Sequence, residues 1–303
     1  MRVEQRSVSA GGGAELCVEA IGDPGAPPVL LIAGASASMD FWDEDLCREL
    51  AGHGRLVVRY DHRDTGRSTS YPAGAPGYTG ADLAADAVAV LDGLTIGRAH
   101  VVGVSMGGGI AQRLALEHRD RLVTVTLVAT SPIDDSGGAL PGIAPRLRTA
   151  LAEPGPDPDF GDREAVIRHL VENERPYAGP GMFDEPRRRA IATRVVERSR
   201  DVAASLANHG LAIRAEEPVR GRLRELRDLP TLVVHGTEDP LFPPQHGRAV
   251  AEAIAGARLV ELEGVGHEVP PPPTWRLFVD ALVEHTAAAS SAPRRSSSGT
   301  SQS

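Results

Sequence analysis

Short apolar runs of strand length alternate along this chain with longer segments of helical spacing, and that alternation restricts the folds open to it. Residues 29–33 and 101–104 are continuously apolar, as expected for strands buried on both faces of a sheet. Further strands are predicted at 16–21, 56–60, 122–128, 232–234 and 258–261, and helices at 81–91, 106–116, 163–173, 185–207, 244–254 and 274–285. The repeated strand–helix–strand order predicts an α/β fold, a mostly parallel sheet covered by helices on both faces.

The regular alternation stops between about residue 131 and residue 228, and this interruption predicts the domain organisation. The stretch is rich in Arg, Glu, Ala and Pro and is largely helical in pattern. We therefore expect a core formed by residues 1–130 and 229–287, with residues 131–228 inserted between two of its strands as a helical cap. Residues 288–303 are mostly Ser, Ala, Arg and Pro without periodicity, so a disordered tail is predicted there.

A serine stands at the point where one buried strand turns into a helix. The pentapeptide G-V-S-M-G at 103–107 has the pattern G-x-S-x-G and follows a buried-strand run. In that context Ser105 lies on a sharp turn with its hydroxyl above the sheet, and its flanking residues must be small because neighbouring backbone passes close. The amides at the start of the helix would face any negative charge that develops there. The pattern predicts Ser105 as a nucleophile; a glycine-rich turn with a serine cap is the alternative.

A serine hydroxyl needs a base to accept its proton, and the chain has ten histidines. His267 follows the last predicted strand in a glycine-rich loop, and it fits the chain order serine, acid, histidine. His235 and His246 lie near the candidate acid and stay open as second choices. Several others, His209 among them, fall on predicted helix surfaces. We therefore expect His267 to be the general base.

The acid that orients such a histidine should lie on a strand-end loop between the serine and the histidine. The strand at 232–234 leads into Gly-Thr-Glu-Asp-Pro, where Asp239 stands before the proline in a fixed turn and is favoured over Glu238. Two backbone amides should hold the oxyanion. One is that of Met106, directly after the nucleophile, and the other is that of Ala35, in a loop after an early strand.

The serine turn, the acid loop, the histidine loop and the loop after the early strand stand in the order found in the α/β-hydrolase superfamily. The chain resembles that superfamily over most of its length. The sequence D-H-R-D-T-G-R-S at 61–68 is similar to the superfamily's D-x-R-G-x-G-x-S turn, with Asp64 where glycine is usual. That turn, together with residues 85–92 and 98–103, resembles the aclacinomycin methylesterase type of anthracycline-tailoring enzyme. Enzymes of that type cleave a methyl ester on a polyketide. The chain departs from many superfamily members at Ala33, where they carry histidine.

The resemblance implies an α/β-hydrolase fold and a serine esterase that acts on a small-molecule ester through an acyl-enzyme. Ser105, Asp239 and His267 would form its triad, with no metal and no organic cofactor. The same triad serves lactone hydrolysis, C–C bond hydrolysis and cofactor-free perhydrolysis, so these reactions stay open, and a ligand-binding sensor is a further alternative. The chain contains no lysine, which excludes Schiff-base chemistry and an amine base.

Composition also limits the partners and the location of the protein. The net charge of −9 disfavours nucleic acid, whose phosphates need a basic protein face. No apolar run is long enough to span a membrane. Two cysteines cannot form a disulfide framework, and no apolar run follows the charged N-terminus as it would in a secretory signal. We therefore expect a cytoplasmic protein whose partner is a small molecule.

Three aromatic side chains are candidates for the substrate pocket, in a chain that is only 4% aromatic. Phe41 and Trp42 follow the predicted oxyanion loop, and Phe183 lies in the predicted cap. Phe41 and Trp42 could line the pocket, and packing against the start of a helix is their alternative. Phe183 could stack on a planar substrate, and packing of the core of the cap is its alternative.

Overall fold

The computed structural model describes residues 3–134, 138–153, 155–214 and 221–290. Within them, eight strands form one sheet in the order β1-β2-β4-β3-β5-β6-β7-β8. The strands are β1 (Val3–Ser9), β2 (Glu15–Ile21), β3 (Pro28–Ile32), β4 (Leu56–Tyr60), β5 (Ala99–Val104), β6 (Leu122–Val128), β7 (Thr231–Gly236) and β8 (Arg258–Leu262). Neighbours from β4 through β8 are parallel, whereas β2 pairs antiparallel with β1 and β4. The sheet confirms the predicted α/β fold.

Helices cover both faces of this sheet. They are α1 (Glu44–Gly52), α2 (Gly80–Gly93), α3 (Met106–Glu117), α4 (Pro145–Ala152), α5 (Arg163–Glu174), α6 (Glu185–Arg198), α7 (Val202–Arg214), α8 (Gln245–Ala253) and α9 (Trp275–Ser290). On one face, Leu83 of α2, Leu114 of α3 and Val250 of α8 share an apolar core. On the other, Leu46 of α1 and Phe278 of α9 are fully buried in a second core. The central strands are continuously apolar because each packs against both layers.

Strand β1 has no counterpart in the sequence prediction. It lies at the edge of the sheet, and Val8 is its buried residue while most of its other side chains are exposed. An edge strand that packs so few side chains needs no apolar alternation, so its sequence carries no strand signal.

The interrupted stretch of the sequence lies between β6 and β7 and contains helices α4 to α7, which we call the insertion. The single helix predicted at 185–207 is wrong, because α6 ends at Arg198 and α7 begins at Val202. The carboxylate of Asp201 accepts a hydrogen bond from the Ala204 amide at 3.0 Å, which satisfies one free amide at the start of α7. At the other end of the chain, α9 continues to Ser290, and the rest of the predicted tail lies outside the described residues.

Candidate active site

The predicted nucleophile lies where β5 ends and α3 begins. Ser105 has φ of 54° and ψ of −117°, a backbone conformation that residues other than glycine rarely adopt. Its amide donates a hydrogen bond to the carbonyl of Val128 at the end of β6, at 3.0 Å. Its carbonyl accepts one from the hydroxyl of Thr130, also at 3.0 Å. These bonds to the neighbouring strand hold the strained residue at the carboxyl-terminal edge of the sheet.

Two glycines flank this turn because the backbone around it leaves no room for side chains. A Cβ atom on Gly103 would lie 2.1 Å from the carbonyl oxygen of Gly107. A Cβ atom on Gly107 would lie 2.4 Å from the carbonyl oxygen of Ile32 in β3. Both distances are far below van der Waals contact, so the close approach of strand, turn and helix requires glycine at each position.

Three loops at the same sheet edge bring the predicted triad side chains together. His267 lies in the loop between β8 and α9, and Asp239 lies in the loop after β7. The distance from His267 Nε2 to Ser105 Oγ is 2.8 Å, and that from His267 Nδ1 to Asp239 Oδ2 is also 2.8 Å. When Nδ1–H donates to the carboxylate, Nε2 is left with a lone pair that faces the serine hydroxyl.

The Asp239 carboxylate is buried and held in place by backbone. Its Oδ1 accepts hydrogen bonds from the amides of Leu241 and Phe242, at 2.9 and 2.8 Å. The neighbouring Glu238 side chain is exposed. Of the two acids that the sequence offers, the structure brings Asp239 to the histidine.

The two second-choice histidines bond to other groups, although His235 Nε2 also lies 3.5 Å from Asp239 Oδ2. His235 Nε2 donates to the carbonyl of Phe242 at 2.8 Å, and burial lowers the pKa of the ring, so the ring is neutral. His246 is within 2.9 Å of the Ser131 hydroxyl and 2.8 Å of the Pro141 carbonyl. Both rings are thus engaged by partners other than the nucleophile.

The loop that carries His267 is packed backbone to backbone against the insertion. The His267 amide donates to the Tyr177 carbonyl at 2.8 Å. A Cβ atom on Gly266 would lie 2.1 Å from that same carbonyl oxygen, and one on Gly179 would lie 1.8 Å from the carbonyl oxygen of Gly264. Glycine is needed on both sides of this contact, which fixes the histidine loop to the segment between α5 and α6.

Of the two predicted oxyanion amides, one belongs to the residue directly after the nucleophile and the other to the residue after Gly34. A Cβ atom on Gly34 would lie 3.5 Å from the Cβ of Ser105, so the loop after β3 is in contact with it. Ala35, the next residue, is exposed. Met106 is the first residue of α3, and an amide at that position has no acceptor within its own helix.

The three predicted pocket aromatics have different surroundings. Trp42 is fully buried in the same apolar core as Leu46 of α1 and Phe278 of α9. Phe183 packs against the apolar cluster between α5 and α6, and the guanidinium of Arg175 lies 4.3 Å from its ring centroid. Phe41 is half-buried and lines a small cleft together with Glu268.

The turn after β4 is stabilised by buried polar contacts. Arg63 forms two hydrogen bonds with the carboxylate of Asp86, at 2.7 and 2.8 Å, and both side chains are buried. Asp64, which replaces the usual glycine, has φ of 66°. Its carboxylate accepts hydrogen bonds from the Tyr78 hydroxyl at 2.7 Å and from the side-chain NH₂ of Asn208 at 2.9 Å. These contacts offset the strain that an aspartate incurs where glycine would fit freely.

Sequence reasoning misplaced one histidine near the site. His209 is fully buried at the contact between α7 and the core, so the predicted surface position is wrong. Its ring accepts a hydrogen bond from the Ser36 amide in the loop after β3. Hydrophobic periodicity gives no signal for this face, because the buried residues Ser205, Asn208 and His209 are polar whereas the apolar Leu211 and Ile213 of the same helix are exposed.

Two further observations concern the described part of the chain. It contains no group of three or more His, Cys, Asp or Glu side chains arranged to hold a metal ion. None of its helices has the length and apolar character needed to cross a membrane. The sequence prediction that the chemistry needs no metal stays a prediction.

The fold and the site together define a class of protein. A profile of the α/β hydrolase fold family matches residues 27–271, and the chain belongs to that family. Among curated relatives, rhodomycin D methylesterase DauP of Streptomyces sp. (strain C5) is 36% identical over 269 residues, which cover 83% of this chain and 88% of the relative. Rhodomycin D methylesterase DnrP of Streptomyces peucetius is 35% identical over 268 residues, with the same shares covered.

The fold is also found among solved structures. The esterase RhEst1 from Rhodococcus sp. ECU1013 superposes with a TM-score of 0.71 at 23% identity, over 94% of this chain and 99% of that one. At that identity the similarity shows a shared fold. The resemblance that the sequence motifs indicated is thereby confirmed at the level of the family.

Proposed function

We propose that the protein hydrolyses a methyl ester of a small molecule through an acyl-enzyme on Ser105. One observation carries the proposal: the hydrogen-bonded line from Ser105 through His267 to Asp239, with 2.8 Å at each step. The relatives named as rhodomycin D methylesterases support the choice of a methyl ester, since they align over more than four-fifths of the chain.

The first half of the proposed reaction forms the acyl-enzyme. Ser105 Oγ attacks the ester carbonyl carbon while His267 Nε2 takes the hydroxyl proton, and the carbonyl π electrons move to oxygen. The amides of Ala35 and Met106 donate to that oxyanion, and each such donor is worth about 3 kcal/mol of barrier lowering. The bond from carbon to the methoxy oxygen then breaks, His267 returns the proton to that oxygen, and methanol leaves.

The second half releases the acid. A water molecule attacks the acyl carbon while His267 Nε2 accepts its proton, and a second tetrahedral intermediate forms. The bond to Ser105 Oγ breaks, and the proton passes from His267 back to the serine. Asp239 stabilises the imidazolium in both halves because its buried carboxylate stays on Nδ1–H. The net change is ester plus water to acid plus methanol.

We propose further that residues 131–228 act as a cap that determines which ester is accepted. Tyr177, within this stretch, has its ring centroid 6.1 Å from that of His267. Phe242, in the loop that carries Asp239, has its ring centroid 5.3 Å from that of His267 and approaches edge to face. Aromatic groups on two sides of the base favour a substrate with a large apolar or aromatic body.

We propose the cytoplasm as the place where the protein works. Cys17 and Cys47 are both free and buried. Burial raises their pKa values to about 11 and about 12, so both are protonated thiols near neutral pH. Free thiols of this kind are typical of a reducing compartment.

Incubation with rhodomycin D in water enriched in ¹⁸O tests the proposed reaction. We expect one methanol per substrate consumed, and a carboxylic acid product that carries a single ¹⁸O, because water supplies one oxygen to the acyl carbon. A p-nitrophenyl ester serves as the control for general esterase activity. Turnover of the p-nitrophenyl ester without methanol release from rhodomycin D would show an esterase that does not accept this methyl ester. Inactivity on both would contradict it.

A further inference from the structure

The loop that carries the proposed oxyanion amide of Ala35 is a tight turn with one strained residue. The Ala37 amide donates to the Gly34 carbonyl at 3.3 Å, which closes a four-residue turn. Ser36, third in the turn, has φ of 60°, while Ala35 has an ordinary negative φ. A positive φ at the third position alone is typical of a type II turn, in which that position is normally glycine. A serine there makes the turn depend on outside support.

The geometry of this turn determines where the Ala35 amide points. A trans peptide unit is planar, so its N–H points opposite to its C=O. The Gly34 carbonyl points into the turn toward Ala37, and the Ala35 N–H in the same peptide unit therefore points out of it. Gly34 itself lies against Ser105. If the turn opens, the Ala35 amide loses its direction relative to the nucleophile.

Helix α7 of the insertion holds the strained residue at both of its backbone polar groups. The Ser36 amide donates to His209 Nδ1 at 2.8 Å. The Ser205 hydroxyl donates to the Ser36 carbonyl at 3.0 Å. Both side chains are buried, Ser205 at 3% exposure and His209 at 0%. The two residues are four apart on one helix face, so they reach the same peptide segment together.

The partners of the His209 ring determine its protonation. Nε2 faces the carbonyl of Arg63 at 2.8 Å, so it carries the hydrogen and donates it. Nδ1 is then unprotonated and can accept from Ser36. Burial lowers the pKa of the ring, which keeps it in this neutral form. One ring thus links the loop after β3 to the turn after β4.

We propose that His209 and Ser205 are positioning residues for the oxyanion site, acting through Ser36 on the Ala35 amide. The inference rests on the proposed function, since it presupposes that this amide stabilises a tetrahedral intermediate. Oxyanion donors contribute mainly when charge develops on the carbonyl oxygen. A loss of positioning therefore lowers kcat and leaves KM nearly unchanged.

Two substitutions of His209 separate its two hydrogen bonds. In His209→Asn the side-chain oxygen takes the place of Nδ1 and can still accept from Ser36, while the contact with Arg63 is lost. In His209→Gln the terminal NH₂ takes the place of Nε2 and keeps the Arg63 contact, while the acceptor for Ser36 is lost. We expect the Asn variant to keep kcat within about 3-fold, whereas the Gln variant loses roughly 10- to 100-fold with KM within about 2-fold. Affinity for a boronic acid that mimics the tetrahedral intermediate should fall in parallel with kcat.

Further variants keep the inference testable if either substitution impairs folding. Ser205→Ala removes one small group, and we expect kcat to fall by about 3- to 10-fold with KM unchanged. His100→Asn is the matched control, because His100 is also buried but pairs with Thr124 in the sheet away from Ser105. It should leave kcat unchanged.

The outcomes distinguish this inference from the proposed function. Equal losses of kcat in the Asn and Gln variants, or a loss confined to KM, would overturn the positioning role. So would an unchanged kcat in Ser205→Ala. Ser105→Ala is measured beside them with the same ester. If that variant stays active, the proposed function fails, whatever the His209 variants do.

Discussion

Backbone strain is concentrated in single residues around the nucleophile. In the described chain the non-glycine residues with positive φ are Ser36, Asp64, Thr95, Ser105 and Ala129. All except Thr95 lie within four residues of the ends of β3, β4, β5 and β6. Such conformations cost of order 1–3 kcal/mol each and persist where surrounding contacts enforce them. Strain at four successive strand ends therefore accompanies the candidate site.

At the same scale, the two adjacent acids of the β7 loop give a matched test of the triad. Asp239→Asn keeps the size of the side chain but removes the charge that holds His267 in the right tautomer. We expect kcat on a methyl ester to fall by roughly 10³- to 10⁴-fold. Glu238→Gln changes an exposed side chain one residue away and should have no measurable effect. Comparable losses in the two variants, or a loss only in Glu238→Gln, would show that Asp239 is not the acid of the triad.

At the scale of elements, the end of α6 is fixed to the core by one arginine. Arg198 donates to Asp61 at 2.7 Å and also pairs with Asp40, and all three side chains are largely buried. Asp61 in turn accepts from the Met39 and Arg67 amides, both at 3.0 Å. Burial raises the pKa of Asp61, and the attraction of Arg198 opposes that rise. The arginine therefore compensates buried carboxylates near the loop after β3.

Replacement of this arginine should be costly, and α6 offers a control. Arg198→Met leaves two buried carboxylates without their partner, and we expect the free energy of unfolding to fall by about 3–5 kcal/mol. Arg189 on the same helix pairs with Glu164, and both side chains are about half exposed. Arg189→Met should cost no more than about 1 kcal/mol. Urea unfolding of both variants measures the difference. Equal losses of unfolding free energy would show that the Arg198 ion pairs stabilise the protein no more than an exposed pair does.

The elements differ in how far the sequence reveals them. Strands β4 and β6 lie at their predicted residues, because strands buried on both faces must be largely apolar. The break between α6 and α7 escapes a periodicity argument, since it contains neither Gly nor Pro. The local cue is Asp201, which caps α7 through the Ala204 amide. Edge strand β1 gives no cue of that kind.

At the scale of the whole molecule, the insertion contacts three loops of the core that surround the nucleophile. His209 meets Ser36 after β3, Arg198 meets Asp61 after β4, and Tyr177 meets His267 after β8. The insertion and the site loops therefore support each other. We therefore expect substitutions at these contacts of the insertion to shift the loops that carry the proposed catalytic groups.

This arrangement also explains which site residues the sequence indicates. Ser105 and Asp239 follow the buried strands β5 and β7, and His267 follows the edge strand β8. These three strands are parallel, and parallel strands bring the loops at their carboxyl ends to one edge of the sheet. His209 and Ser205 both contact Ser36, which lies 173 and 169 positions earlier in the sequence. Hydrophobic periodicity does not identify their buried face, because that face is polar while Leu211 and Ile213 of the same helix are exposed.

The most direct test of the account is the rate of methanol release by Ser105→Ala. The substitution removes the hydroxyl that attacks the ester and leaves Asp239 and His267 in place. We predict a fall of roughly 10⁴-fold or more in kcat on a methyl ester, with the melting temperature close to that of the unchanged protein. A variant that still releases methanol at more than a few per cent of the original rate, while correctly folded, would contradict nucleophilic catalysis by Ser105.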